Sequence, residues 1–146
     1  MTDYRMTIGV EIAIVDAHGR YLLIVRSDDE PFMPGVLSMP GGKVDPIVIA
    51  DALEDTAVRE VLEEVGLRIE NPQYVESHTF YADEDLVLDI IMLAQHRGDD
   101  PQIVSSEEVA ELHWMTAAEI AVHADIPTWT RDSIQRAETL RRDLGW

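Results

Sequence analysis

Glu60, Glu63 and Glu64 fall within the stretch Arg59 to Gly66, REVLEEVG. Carboxylates at i and i+4 on one helical face can converge on a hard divalent cation, which takes oxygen ligands and leaves positions for substrate phosphates. The same three acids also fit a plain solvated face. Taken alone, the stretch allows both readings.

The spacing around these acids predicts a helix from about Asp51 to Val65. Val58, Val61, Leu62 and Val65 recur at i, i+3, i+4 and i+7 and form one apolar stripe, expected to face the core. Glu60, Glu63 and Glu64 then project from the opposite side as a cluster. Each like-charged neighbour pair costs about 0.2–0.5 kcal/mol, and acids near a helix C-terminus also oppose its dipole. A bound cation would offset that cost. Upstream, MPGGKV places Gly41 and Gly42 where the chain either makes a plain turn or brings its backbone close to a ligand. A Walker loop is excluded, because Leu37 and Val44 occupy places where that pattern needs Gly and Ser or Thr.

Length and composition narrow the chemistry. A chain of 146 residues, 46% hydrophobic, is expected to form one domain over residues 1–146. Met1 to Arg5 is polar, and the most apolar stretch, Val87 to Ala94, is short and interrupted by Asp89, so a soluble, cytoplasmic protein is expected. With no cysteine there is no disulfide framework, thiolate metal site or thiol nucleophile. Eleven Lys and Arg against 29 Asp and Glu give a net charge of −18, which repels nucleic acid and anionic membrane. Neither is an expected partner. A phosphate ligand would meet the same repulsion unless divalent cations bridge it to protein carboxylates. The five histidines show no metal-ligand spacing and are read as structural.

The remaining elements frame this helix. Ile8 to Val15 and Tyr21 to Val25 read as a hairpin around DAHGR, followed by a Pro- and Gly-rich loop with one short strand near Val36 to Met39. Gly66 is the expected helix stop. Tyr74 to Tyr81 and Leu86 to Gln95 read as strands around ADED, and Glu111 to Met115 as a last short strand. Thr116 to Glu119 fits a capping box, and Thr128 to about Arg142 a final helix.

Gly-Gly followed by REVLEEVGL resembles the Nudix hydrolase signature: a Gly, five residues, a Glu, seven residues, then R-E-U-x-E-E-x-G-U, with U a bulky aliphatic. Arg59, Glu60, Val61, Glu63, Glu64, Gly66 and Leu67 match its second half. The first half departs from it. Asp51 stands at the earlier acidic position, and DPIVIAD carries a three-residue insertion after Gly42. Asp51 is expected to cap the helix with its side chain.

The resemblance implies an α/β (α+β) fold, a Nudix-like α/β/α sandwich with a mixed sheet. It implies a divalent-metal-dependent hydrolase that cleaves a phosphoanhydride bond of a nucleoside diphosphate linked to some group X, with Mg²⁺ or Mn²⁺ as cofactor. The implied metal ligands are Glu60, Glu63 and Glu64 with the Gly41 carbonyl. Arg59 would hold a neighbouring glutamate, and Glu108, with Glu107 close behind, would complete the site or activate water. The general base is expected among Glu60, Glu63 and Glu108. Arg26 is a candidate phosphate or sugar contact, and Phe32, Phe80 and Tyr81 are candidates to stack a base. The ADP-ribose branch carries a proline where this chain has Ala82 and Asp83, which favours (d)NTPs over ADP-ribose or other NDP-sugars. A non-catalytic nucleotide-sensing module is the rival reading. The expected partner is a small-molecule nucleotide, with a homodimer compatible.

Overall fold

In a computed structural model, residues 3–146 are described. Aliphatic and β-branched runs form β1 (Thr7–Val15) and β2 (Arg20–Arg26), whose inner residues are buried on both faces. Two short strands follow, β3 (Leu37–Ser38) and β4 (Gly41–Lys43), then helix α1 (Ala52–Val65). Next come β5 (Ile69–Ala82), β6 (Asp85–His96) and β7 (Val109–Thr116), and finally α2 (Ala117–Ala121) and α3 (Thr128–Asp143).

The seven strands form one sheet in the order β3-β2-β1-β6-β5, with β4 added to β1 and β7 to β2. β1 runs parallel to β6 along its whole length, from Thr7 opposite Val87 to Val15 opposite Gln95. The other pairings are antiparallel, so the sheet is mixed. One sheet face packs Val10, Ile12, Ile14, Ile90 and Met92 against Ala57, Val61 and Val65 of α1. The opposite face packs Ala13, Leu23, Ile91 and Leu93 against Ile120, Ile134 and Ala137 of the C-terminal helices. The result is the expected α/β/α sandwich. Among the described residues no helix is long and apolar enough to cross a membrane.

Three details differ from the sequence reading. The β1–β2 hairpin pairs only at Val15 opposite Tyr21, beyond which β1 turns to β4 and β2 to β3 and β7. β5 begins at Ile69 rather than Tyr74, because a register shift between Glu70 and Gln73 absorbs Asn71, at φ 54°, and Pro72. The third difference concerns α1. Val58 and Leu62, expected inside, are 42% and 39% exposed, while Glu64, expected outside, is 5% exposed. The buried stripe is Ala57, Val61, Glu64 and Val65, at i, i+4, i+7 and i+8. Small Ala57 lets the helix approach the sheet, and the inward turn carries Glu64 toward β4.

The caps complete the frame. Gly66 ends α1 in the left-handed region and donates its N–H to the Leu62 carbonyl. Thr116 Oγ1 accepts the Glu119 N–H at 3.2 Å, as the capping box requires. Asp51 does not cap with its side chain: its backbone is left-handed at φ 52°, and only its carbonyl serves the helix, accepting from Asp55 N–H at 2.9 Å.

Candidate active site

Where β1 and β2 part, a cavity of about 860 Å³ opens. Glu60 and Glu64 of α1, Gly41 and Gly42 of β4, and Glu108 from the loop before β7 all line it. The i, i+4 spacing of Glu60 and Glu64 puts both on the side of α1 that meets β4. Glu63 is exposed on the outer side and Glu107 is absent from the cavity lining.

Both glycines are required by close approach. A Cβ at Gly41 would stand 2.1 Å from the Val10 carbonyl oxygen, and one at Gly42 would stand 2.2 Å from Glu60 Cδ. The two residues thus let β4 lie against β1 and let the Glu60 carboxylate rest over the backbone.

Arg59 organises the carboxylates. Its Nη1 donates to Glu60 Oε1 at 2.9 Å and lies 3.6 Å from Glu63 Oε2, while Nη2 stands 3.2 Å from Asp45 Oδ2. Glu64 has no comparable cation. Burial, then the charges of Glu108 and Glu60, push its carboxyl up to about 8, with the Gly41 N–H opposing. Burial likewise raises Glu60, against the pull of Arg59.

Among the described residues, no three or more His, Asp or Glu side chains stand ready to cage a metal ion. Mg²⁺ needs no such cage, since one or two carboxylates, substrate phosphates and water complete its shell. Two observations fit the ion to this place. Glu64 Oε2 is buried with no hydrogen-bond partner, and Gly42, having no Cβ, leaves the Glu60 carboxylate its place over the β4 backbone. Glu60, Glu64, Glu108 and the Gly41 carbonyl offer oxygens, as a hard cation prefers.

The candidate substrate contacts separate. Arg26 lines the cavity, but its Nε donates to the Phe32 carbonyl and its Nη2 to Glu30, both at 2.9 Å, so it also fastens the loop after β2. Phe32 and Phe80 stack on each other with centroids 5.9 Å apart. Tyr81 lines the rim and is 70% exposed. Further polar residues in the lining escaped the sequence reading, among them Glu11, Ser38, Asp45 and Asp89. His78, read as structural, lines the cavity too, with Nε2 3.6 Å from Asp89 Oδ2. The available signal was a lone charge inside an apolar strand, Glu11 in IGVEIAIV and Asp89 in VLDIIMLA.

A family model described as NUDIX domain matches residues 5–137. The uncharacterized Nudix hydrolase YfcD of Salmonella typhi is 28% identical over 124 residues, 85% of this chain and 64% of that protein. The NAD-capped RNA hydrolase NudC of Stutzerimonas stutzeri is 33% identical over 101 residues, 69% of this chain. The chain spans 34% of the length of that relative. Among solved structures, the MutT protein of Methanosarcina mazei Go1 superposes with a TM-score of 0.80 at 25% identity, covering 97% of this chain and 99% of the other. The NUDIX domain of Shewanella oneidensis NrtR, complexed with ADP ribose, gives 0.72 at 20% identity, covering 97% and 90%, and shares the fold.

Proposed function

The chain belongs to the NUDIX domain family, and from that membership we propose a divalent-metal-dependent hydrolase that cleaves a phosphoanhydride bond of a nucleoside diphosphate derivative, with (d)NTPs as its substrates. The observation that carries the proposal is Glu64: a buried carboxylate whose Oε2 has no partner in the protein, facing a nucleotide-sized cavity beside Glu60 and Glu108. Retention of Glu60, Glu63 and Glu64 speaks against a pure sensor, in which such costly acids would serve no purpose.

Glu60 and Glu64 would hold the ion, Mg²⁺ or Mn²⁺, with the Gly41 carbonyl as a further oxygen, whereas Glu63, exposed on the outer side of α1, stands outside the cavity lining. When bound, the ion supplies positive charge against the phosphate oxygens and eases deprotonation of water. The chain itself does the rest. Arg59 keeps Glu60 oriented by a charge-assisted hydrogen bond. Glu108, without a cation partner, is the acceptor for the proton of the attacking water, at its carboxylate oxygens. Arg26 and the Phe32–Phe80 wall orient the nucleotide.

A second reading, hydrolysis of an NDP-sugar or dinucleotide, is favoured by the identity to NudC, and the absent proline at Ala82 and Asp83 weighs against its ADP-ribose form. A panel of NTPs, dNTPs, ADP-ribose and NAD with Mg²⁺, followed by phosphate release after pyrophosphatase or phosphatase treatment, separates the two. Release of pyrophosphate from a triphosphate is expected. Turnover undiminished in excess EDTA, or no turnover of any member, would overturn the proposal.

A further inference from the structure

Ser38, on the short strand β3, lines the cavity, and its Oγ is buried with no hydrogen-bond partner. A hydroxyl left this way costs stability unless a ligand meets it. The strand register fixes its surroundings. Ser38 stands directly opposite Ile24 of β2, and Ile24 belongs to the core beneath α1, so the hydroxyl lies on the sheet face that α1 covers. Glu60 and Glu64 enter the cavity from α1 over that same face. Two residues along β2, Arg26 returns to this face by strand alternation and becomes the diagonal neighbour of Ser38, roughly 7–8 Å away. Among the cavity-lining residues of β2 and β3, Arg26 and Ser38 are the donors on this face. Arg26 spends Nε on the Phe32 carbonyl and Nη2 on Glu30, whereas the Ser38 hydroxyl is wholly uncommitted. The flat wall belongs to the other face: Phe80 is opposite Val87, which alternates with Asp89 and Ile91, and it stacks on Phe32.

Resting on the proposed nucleotide hydrolase, we propose that Ser38 is a substrate-binding residue whose Oγ–H donates to a phosphate oxygen of the bound nucleotide, beside Arg26. Phosphate oxygens accept hydrogen bonds and donate none, so the carboxylates of α1 cannot meet them directly. A neutral hydroxyl can, and it adds no charge to the site. The assignment gives the hydroxyl a sign that a structural serine lacks. In the ligand-free protein it is an unpaired buried atom, and removing it relieves a penalty; in the complex it is a partner to an anion, and removing it leaves a phosphate oxygen unmet.

Two measurements on wild type and Ser38→Ala test this. The first is the melting temperature without ligand, in EDTA, where Ser38→Ala is expected to equal or exceed wild type. The second is the Kd, by titration calorimetry with Mg²⁺, for the non-hydrolysable α,β-methylene analogues of ATP, GTP, CTP and UTP, set beside turnover of the four parent nucleotides. Ser38→Ala should weaken the tightest-binding analogue by about tenfold or more, the worth of a hydrogen bond to a charged group, and KM for the parent nucleotide should rise with it. Loss of analogue affinity in Ser38→Ala without any turnover by wild type supports the contact and removes only the hydrolase. Turnover by wild type with equal Kd in the two proteins overturns the contact and leaves the hydrolase standing. A melting temperature of Ser38→Ala well below wild type, or no binding of any analogue by wild type, also overturns the contact. Should Ser38→Ala fold poorly, Ser38→Cys, close in size and a weaker donor, carries the same comparison.

Discussion

The guanidinium of Arg59 bridges Asp45 and Glu60, with Nη2 3.2 Å from Asp45 Oδ2 and Nη1 2.9 Å from Glu60 Oε1. Asp45 belongs to the enlarged loop, whose Asp51 makes no side-chain cap. The loop therefore supports the carboxylate helix through Asp45. Because the pair is half exposed, its loss is worth about 0.2–1 kcal/mol. Asp45→Asn should lower kcat/KM severalfold, Arg59→Ala by far more, and Asp51→Asn hardly at all. Steady-state kinetics on the three variants decide it, and a larger effect from Asp51→Asn than from Asp45→Asn would refute the assignment.

The two glycines of β4 should fail differently. Gly42→Ala collides with the flexible end of Glu60, so the side chain moves and the fold survives. Its metal-free melting temperature is expected near wild type, while the Mg²⁺-induced rise shrinks. Gly41→Ala collides with the Val10 backbone, which cannot yield, and should unfold the protein or lower its melting temperature sharply in either condition.

Glu64 gives stability a direction with pH. Its carboxyl is raised from 4.5 to about 8, chiefly by burial, so over that window the native state keeps a proton that the unfolded chain has released. Stability therefore falls as pH rises from about 5 to 8 in the metal-free protein, and Glu64→Gln should flatten part of that fall. Mg²⁺ at a hundredfold excess over Kd should restore about 2.7 kcal/mol to wild type. Glu64→Gln is expected to lose most of that gain and Glu70→Gln, on an exposed residue outside the signature, to keep it. Equal Mg²⁺ shifts in wild type and Glu64→Gln would remove Glu64 from the metal ligands. Thermal melts with and without EDTA supply the comparison.

On the other side of the sheet, Glu138 fastens α3. Its Oε2 accepts from the buried Tyr21 hydroxyl at 2.6 Å and its Oε1 from Arg141 Nη2 at 2.6 Å. These bonds, Arg141 foremost, hold its carboxyl near 2, so the contribution is complete above 4.5 and is lost as pH falls toward 2. Glu138→Ala leaves a partly buried Arg141 unpaired and should cost about 3 kcal/mol in urea titrations at pH 7. The deficit should shrink at pH 3. Turnover well below the melting point should stay close to wild type, since α3 anchors the fold from the face opposite α1.

Element order and the carboxylate helix were legible because their signals are local: alternating or 3.6-residue periodicity, turn residues and a contiguous run from Arg59 to Leu67. The side on which α1 packs was not. Amphipathic reasoning sends every glutamate outward, whereas Glu64 goes inward, onto the side of α1 that lines the cavity. Glu11, His78 and Asp89 were hidden for a different reason. They come together only through the parallel pairing of β1 with β6 and the antiparallel pairing of β6 with β5, which no short window of sequence contains.

The single bridge between Val15 and Tyr21 makes the hairpin turn the vertex of an angle whose arms carry Glu11 and Arg26 to the cavity. Four residues of strand separate Val15 from Glu11, about 13 Å, so a change of about 5° at the vertex displaces Glu11 by about 1 Å. Displacements of that size alter catalytic rates by up to about a hundredfold. The vertex itself is braced by Asp16, whose carboxylate accepts from the backbone of His18 and Arg20 and from the Arg20 side chain at 2.8–2.9 Å. A surface turn remote from the cavity thereby acts as a lever on it, and Asp16→Ala should change kcat although no residue lining the cavity is substituted.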